Sequence, residues 1–241
     1  MKTSNKILLG FLLAGFGFIA AAQIGLHVKY VHKEYITPEQ YITSFYDEYK
    51  LPNIKHVRLM GTAACKIIPS DITELKIEKS SIAYKKFDVS GDTLFIYGEY
   101  PSSHASSIKL NRMAQNVRLY VPGAVDVYAI NSDIEVQGGQ TVDKGASWHF
   151  TINNSVLNSR EGSTLDSVNR YFDTLSVVAQ NSQVLLFHSD HFKAVNVQFD
   201  HSLIDDRKAE IGQVNITTDS TSVIIVSGRN MNKLNSIIIK K

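Results

Sequence analysis

The side chains best equipped for chemistry sit in HSDHF at 188–192 and in DHS at 200–202. His188, Asp190 and His191 offer two imidazoles and a carboxylate, a donor set that suits a divalent transition metal, and Asp200 and His201 could join them. The two histidines are three apart in a segment that reads as a loop, where solvated polar residues are ordinary, so no metal ligand is assigned. A second chemistry needs paired carboxylates. Asp200 and Asp219 could act as the acid and the base or nucleophile of a polysaccharide-cleaving solenoid, with their pKa values split by mutual repulsion. A water-facing polar corner accounts for the same two residues and is the preferred explanation. Asp205 and Asp206 beside Arg207 and Lys208 read as a solvated charged turn.

Other signatures of chemistry are missing from the sequence. It contains no GxSxG elbow, HExxH pair, Walker loop or GxGxxG turn. Its one cysteine, Cys65 in AACKII, suits a buried core position better than a reactive thiol, and no Cys/His spacing suggests zinc. No catalytic, cofactor-binding or metal-binding residue is assigned, and no cofactor is expected. A formal net charge of +2, with basic residues scattered along the chain, leaves no electrostatic footprint for nucleic acid.

The elements that must position these residues begin with a separate N-terminal segment. Residues 7–26 form an apolar run interrupted only by Gln23, just long enough to cross a bilayer core of about 30 Å. Residues 1–27 are therefore a transmembrane anchor or a signal peptide. Ala20, Ala21 and Ala22 offer a cleavage pattern, whereas continuation of the run through Leu26 favours an uncleaved anchor. Either fate places the rest of the chain outside the cytosol, in the periplasm or at the cell surface. Residues 28–52 form a connector in which Thr37, Pro38 and Gln40 begin a short amphipathic helix extending to about Tyr49. Tyr41, Phe45, Tyr46 and Tyr49 would pack that helix on a neighbouring domain, with a place at the membrane interface as the alternative.

From 53 to 241 the texture becomes all-β: short alternating apolar runs broken by Gly, Asn, Asp and Ser. Five windows obey one template, with apolar residues at positions 0, +2 and +9 and Ser or Thr at +7. They start at Val125, Trp148, Leu175, Val195 and Val214, and carry Ser132, Ser155, Ser182, Ser202 and Thr221 at +7. The steps of 23, 27, 20 and 19 residues indicate stacked rungs of a solenoid with a unit near 20, the largest loop falling at 159–173. Position +6 holds Asn131, Asn154, Asn181, His201 and Ser220. Stacked about 4.8 Å apart, such side chains could form a hydrogen-bonded ladder, and Asn tolerates the left-handed backbone of a sharp corner. Weaker paired positions, Val57/Leu59, Leu75/Ile77 and Leu94/Ile96, extend the pattern backward, and Lys240 and Lys241 would cap the final edge.

The hydrophobic N-terminus, VRLMG, DVSGDTLFI at 88–96, NVRLYVPGAVDVYAINSDIEVQG at 116–138 and the Asn/Ser-punctuated rungs together resemble the bacterial auto-transporter adhesin, head GIN domain family. Trp148 and the scarcity of glycine in the rungs depart from that pattern. The resemblance implies a single-stranded, right-handed parallel β-helix or β-roll on the cell envelope, with adhesion or carbohydrate contact and no catalytic residues to carry over. The expected partners are a membrane for the N-terminal helix and a glycan or envelope protein for the solenoid.

Overall fold

The computed structural model describes residues 3–32, 44–62, 65–79, 85–98, 117–159 and 169–239. They divide into two units, Met1–Phe45 and Tyr46–Lys241. The first contains helix α1, Thr3–Val31, whose 29 residues extend about 43 Å at 1.5 Å per residue. Within it, Leu9–Val31 is long and apolar enough to cross a membrane, and none of it is buried.

The second unit is a β-solenoid of about five turns, built from two sheets of nine strands each. In chain order its first half comprises β1 (Tyr46–Lys50), β2 (His56–Met60), β3 (Cys65–Pro69), β4 (Glu74–Glu78), β5 (Lys85–Ser90), β6 (Thr93–Gly98) and β7 (Val117–Val121). The second half begins with β8 (Asp126–Ile130), β9 (Asp133–Val136), β10 (Ala146–Asn153), β11 (Val156–Asn158) and β12 (Arg170–Gln180). It continues with β13 (Gln183–Leu185), β14 (Asp190–Asp200), β15 (Leu203–Asp205), β16 (Glu210–Thr218), β17 (Val223–Ile225), helix α2 (Gly228–Met231) and β18 (Leu234–Ile239).

The second half stacks as the repeat predicts. Even-numbered strands β8 to β18 pair in parallel in one sheet, and odd-numbered strands β9 to β17 pair in parallel in the other. Trp148, Leu175, Val195, Val214 and Leu234 fall in register in the first sheet; Ile134, Leu157, Val184 and Ile204 do so in the second. All of these except the partly buried Leu234 lie in the core. Alternate side chains point inward along each strand, and each such burial contributes roughly 1.5–3 kcal/mol. Cys65 is one of these core residues.

Corners between the sheets are built from two adjacent residues. Asn131, Asn154, Asn181 and His201 adopt φ of 50°, 47°, 47° and 49°, the left-handed region. The serine that follows each turn points inward and is buried.

In the last rung this arrangement differs from the sequence template. Ser222, not Thr221, receives the backbone N–H of Ser202 at 3.0 Å, and Ile204 pairs with Ile224, leaving Val223 exposed. The cause is Asp219, whose carboxylate accepts from Ser222 N at 3.0 Å and from the hydroxyls of Thr221 and Ser222, widening the turn by a residue.

The first half departs further. Val57 and Leu59 of β2 pair with Leu94 and Ile96 of β6 on one side and with Val127 and Ala129 of β8 on the other. Leu75 and Ile77 of β4 lie in the opposite sheet, antiparallel to β7 and β1. The three spaced pairs are therefore not consecutive rungs. A turn after β3, in which Ile72 N donates to Ser70 Oγ at 3.2 Å, reverses the chain before β4. Alternation records which side chains are buried, and it is blind to the sheet that buries them.

The connector also differs from expectation. Tyr46–Lys50 is a strand where the expected helix would extend to Tyr49. Cross-strand contacts override the helical spacing of the aromatics: Glu48 faces Lys76 and pairs with its Nζ at 2.6 Å, and Tyr49 packs on Phe87 at 4.7 Å between ring centroids. The expected helix start at Thr37–Gln40, most of the 159–173 loop and the capping lysines 240 and 241 lie outside the described residues.

Candidate functional site

The long strands β12, β14 and β16 are bent near their starts. Phe172, Phe192 and Ile211 are register partners, as are Thr174, Ala194 and Gln213, and the intervening Asp173, Lys193 and Gly212 stand outside the pairing. Inward residues consequently recur three apart at the bend, as Phe172/Leu175, Phe192/Val195 and Ile211/Val214. At Gly212 the backbones are so close that a Cβ would lie 2.8 Å from the Lys193 carbonyl oxygen.

An open groove of about 630 Å³ runs along this bend. Phe172 and Phe192, stacked at 4.4 Å and 16°, lie with Ile211 beneath its floor and are buried in the core, so the exposed lining comes from their neighbours. One wall is the outward column of Tyr171, His191 and Glu210. Tyr171 and His191 stack at 5.0 Å and 19°, and His191 Nδ1 lies 3.1 Å from Glu210 Oε2. Lys193 forms an ion pair with Asp173. Val142 closes one end; Arg229, Asn230 and Lys233 close the other.

The closing turn α2 has only four residues, yet it is tied to the core. Buried Asp206 accepts from Ser227 N at 2.8 Å, Ser227 Oγ at 2.9 Å and Asn230 Nδ2 at 2.8 Å. Asn230 also donates to Ala209 O at 2.7 Å and accepts from Ile211 N at 3.4 Å. Two buried polar residues thus hold the backbone that carries Arg229, and each satisfies the other. Asp206, expected in a solvated turn, is one of this pair.

The residues singled out for chemistry are dispersed. Asp190 and His191 lie in β14 and not in a loop; His188 occupies the preceding turn. Asp190 is buried and accepts from Ser159 Oγ. Burial pushes its carboxyl up to about 7, against the opposing effect of the Ser159 hydrogen bond.

Asp200, His201 and Asp219 do come together, at the exposed last corner, with potential ligand atoms within 4.8 Å of one another. Their atoms already bond each other: His201 Nδ1 lies 2.6 Å from Asp200 Oδ1 and 3.6 Å from Asp219 Oδ2. The Asp200 hydrogen bond raises the His201 pKa, and hydrogen bonds from Ser222 and Thr221 hold Asp219 below the usual carboxylate range. A carboxylate so engaged holds no proton to donate, and its hydrogen bonds brace the corner.

In the +6 column, Asn154 Nδ2 donates to Asn131 Oδ1 at 2.6 Å. The neighbouring column links Asn153 to Gln180 at 3.3 Å and Gln180 to Asp200 at 3.3 Å. The serines make a longer chain. Thr62, Ser132, Ser155, Ser182 and Ser202 donate their backbone N–H groups to the hydroxyls of Ser132, Ser155, Ser182, Ser202 and Ser222 in turn, at 3.0–3.2 Å.

The groove was not found from the sequence. Its signal was there, as an apolar residue three positions before the template start: Phe172, Phe192 and Ile211. Nothing in the sequence marks the approach of Arg229 and Lys233, which depends on how α2 is tied down.

No protein-family model matches the chain, and no curated protein matches its sequence. Among solved structures, a "putative lipid binding protein" from Parabacteroides distasonis is similar at 12% identity and a TM-score of 0.41, covering 81% of this chain and 96% of its own. A "putative adhesin" from Bacteroides fragilis is similar at 13% identity and a TM-score of 0.37, covering 80% and 95%. A "putative cell adhesion protein" from Clostridium sporogenes is similar at 10% identity and a TM-score of 0.34, covering 81% and 99%.

Proposed function

We propose that this chain is a non-enzymatic, adhesin-like binding protein. An N-terminal helix holds it at a membrane, and its solenoid stands outside the cytosol and contacts a glycan or an envelope protein. Membership of the auto-transporter adhesin, head GIN domain family belongs to the same reading. The observation that carries it is the open groove across β12, β14 and β16, whose wall presents the Tyr171 ring, His191 and Glu210 and whose one end is tied to buried Asp206 and Asn230. A concave surface that sets an aromatic ring beside a few placed polar groups is what ligand sites present. Three strands of one rigid sheet supply its base, so binding requires little reordering of the protein.

The test is capture of saccharides from a panel by the full chain in non-ionic detergent micelles. The comparison is with Val142→Trp and Tyr171→Ala, which alter the groove from its rim and wall. Binding that both substitutions weaken supports the proposal. A panel from which nothing binds removes the glycan from the proposal, and binding that neither substitution changes removes the groove as the site.

A further inference from the structure

Resting on that groove as a binding site, we infer that Arg229 and Lys233 seat the acidic group of a saccharide, the carboxylate of a uronate or an equivalent sulfate. Asp173 beside the groove is paired with Lys193, Glu210 lies 3.1 Å from His191, and the lining cations Lys193, Arg229 and Lys233 outnumber its one carboxylate, Glu210. Among the described residues, Arg229 and Lys233 have no carboxylate partner, although both line the same end. Because both line the same groove, an anion seated there can gain charge-assisted hydrogen bonds from each. Arginine supplies a fork that matches a carboxylate or sulfate, and the Asp206–Asn230 network keeps its turn in place before the ligand arrives.

The rest of the groove favours a saccharide over an acyl chain. It is open along its length, and its outward wall presents polar groups of His191 and Glu210 beside the Tyr171 ring. From β12 to β16 it crosses two strand spacings, roughly 10 Å, which matches a short run of sugar units. An acyl chain would need an enclosed apolar cavity.

The experiment is calorimetric titration of the full chain in non-ionic detergent with trigalacturonate, its neutral methyl ester and maltotriose. Arg229→Gln combined with Lys233→Gln is the test variant; Lys50→Gln combined with Lys55→Gln, away from the groove, controls for net charge. Trigalacturonate should bind saturably and more tightly than either neutral probe. The Arg229/Lys233 variant should lose roughly tenfold or more in affinity, and the control should lose little. The ester comparison needs no variant and stands even if a substitution disturbs folding.

Equal affinity for acid and ester, an unchanged Arg229/Lys233 variant, or binding confined to phosphatidylglycerol vesicles would each overturn the inference. If the neutral probes bind, and Val142→Trp weakens them, the groove reading stands while the anionic preference falls. If Val142→Trp changes no binding at all, both fall.

Discussion

The backbone N–H of Ser155 donates to Ser182 Oγ at 3.1 Å, and the same hydroxyl donates to Gln180 O at 2.6 Å. One buried side chain therefore satisfies a donor in the neighbouring rung and an acceptor in its own. At a corner the peptide groups turn away from the regular ladder, and a buried N–H left without an acceptor would be costly. Serine fits because its hydroxyl can donate and accept in a space too small for a longer side chain.

Ser182→Ala should destabilise the solenoid by about 1–3 kcal/mol, since it leaves both groups unsatisfied. Ser220→Ala, at an exposed position in the last corner, should change stability by less than about 0.5 kcal/mol. Urea unfolding followed by fluorescence of the lone Trp148, which is buried with its Nε1 donating to Gln137 O at 3.1 Å, measures both. Equal effects would remove the special role of the inward serine.

Asn181 tests the backbone of the corner separately from its hydrogen bonds. Asn181→Gly should be nearly neutral, whereas Asn181→Val should cost about 1–2 kcal/mol, because a β-branched residue is disfavoured at the φ of 47° found there. A tolerated valine would mean that the corner can relax to another conformation.

Asp190 should make stability depend on pH. Its folded pKa, about 7, is raised above the ordinary 3.8, so the folded state holds the proton more tightly than the unfolded state. Stability from this group is fully present below about pH 3.8 and is lost as pH rises through 7, by on the order of 4 kcal/mol. Asp190→Asn keeps an acceptor for Ser159 and removes the ionisation. The variant should flatten the unfolding free energy between pH 4 and 7, and an unchanged slope would assign the dependence elsewhere.

Asp219→Ala should loosen the last rung alone. Hydrogen exchange at Val223–Ile225 should rise while β10 stays protected, because the carboxylate braces Ser222 and Thr221 and, among the described residues, reaches no earlier corner than His201. Global exposure across β10 would show that the brace supports the whole solenoid.

Protease added to intact cells tests the location. Digestion of the solenoid from outside agrees with a surface-exposed binding protein. Digestion only after the envelope is breached would remove surface adhesion from the proposed function.

Much of the fold was legible because each rung solves the same problem with the same residues. The inward apolar pair, the left-handed Asn and the small Ser recur wherever a parallel strand turns from one sheet into the other, so counting recovered the register from Trp148 to Val214. The count failed by one residue at Thr221, where Asp219 substitutes a carboxylate for a plain corner. It failed more widely before Val125, where β4 reverses direction and β8 returns beside β2. Those pairings join residues as far apart as Val57 and Val127, and an alternating pattern is the same whichever strand lies alongside.

By itself the sequence determined a β-solenoid with a unit near 20 residues, and an apolar N-terminal helix, because burial periodicity and the demands of a sharp corner are local properties of the chain. Only the tertiary structure decided where a ligand could sit. The bend at Asp173, Lys193 and Gly212 and the Asp206–Asn230 bonds bring Tyr171, His191, Arg229 and Lys233 to one groove from separate rungs. Their convergence depends on long-range packing, in which the order of residues along the chain and their order in space no longer coincide.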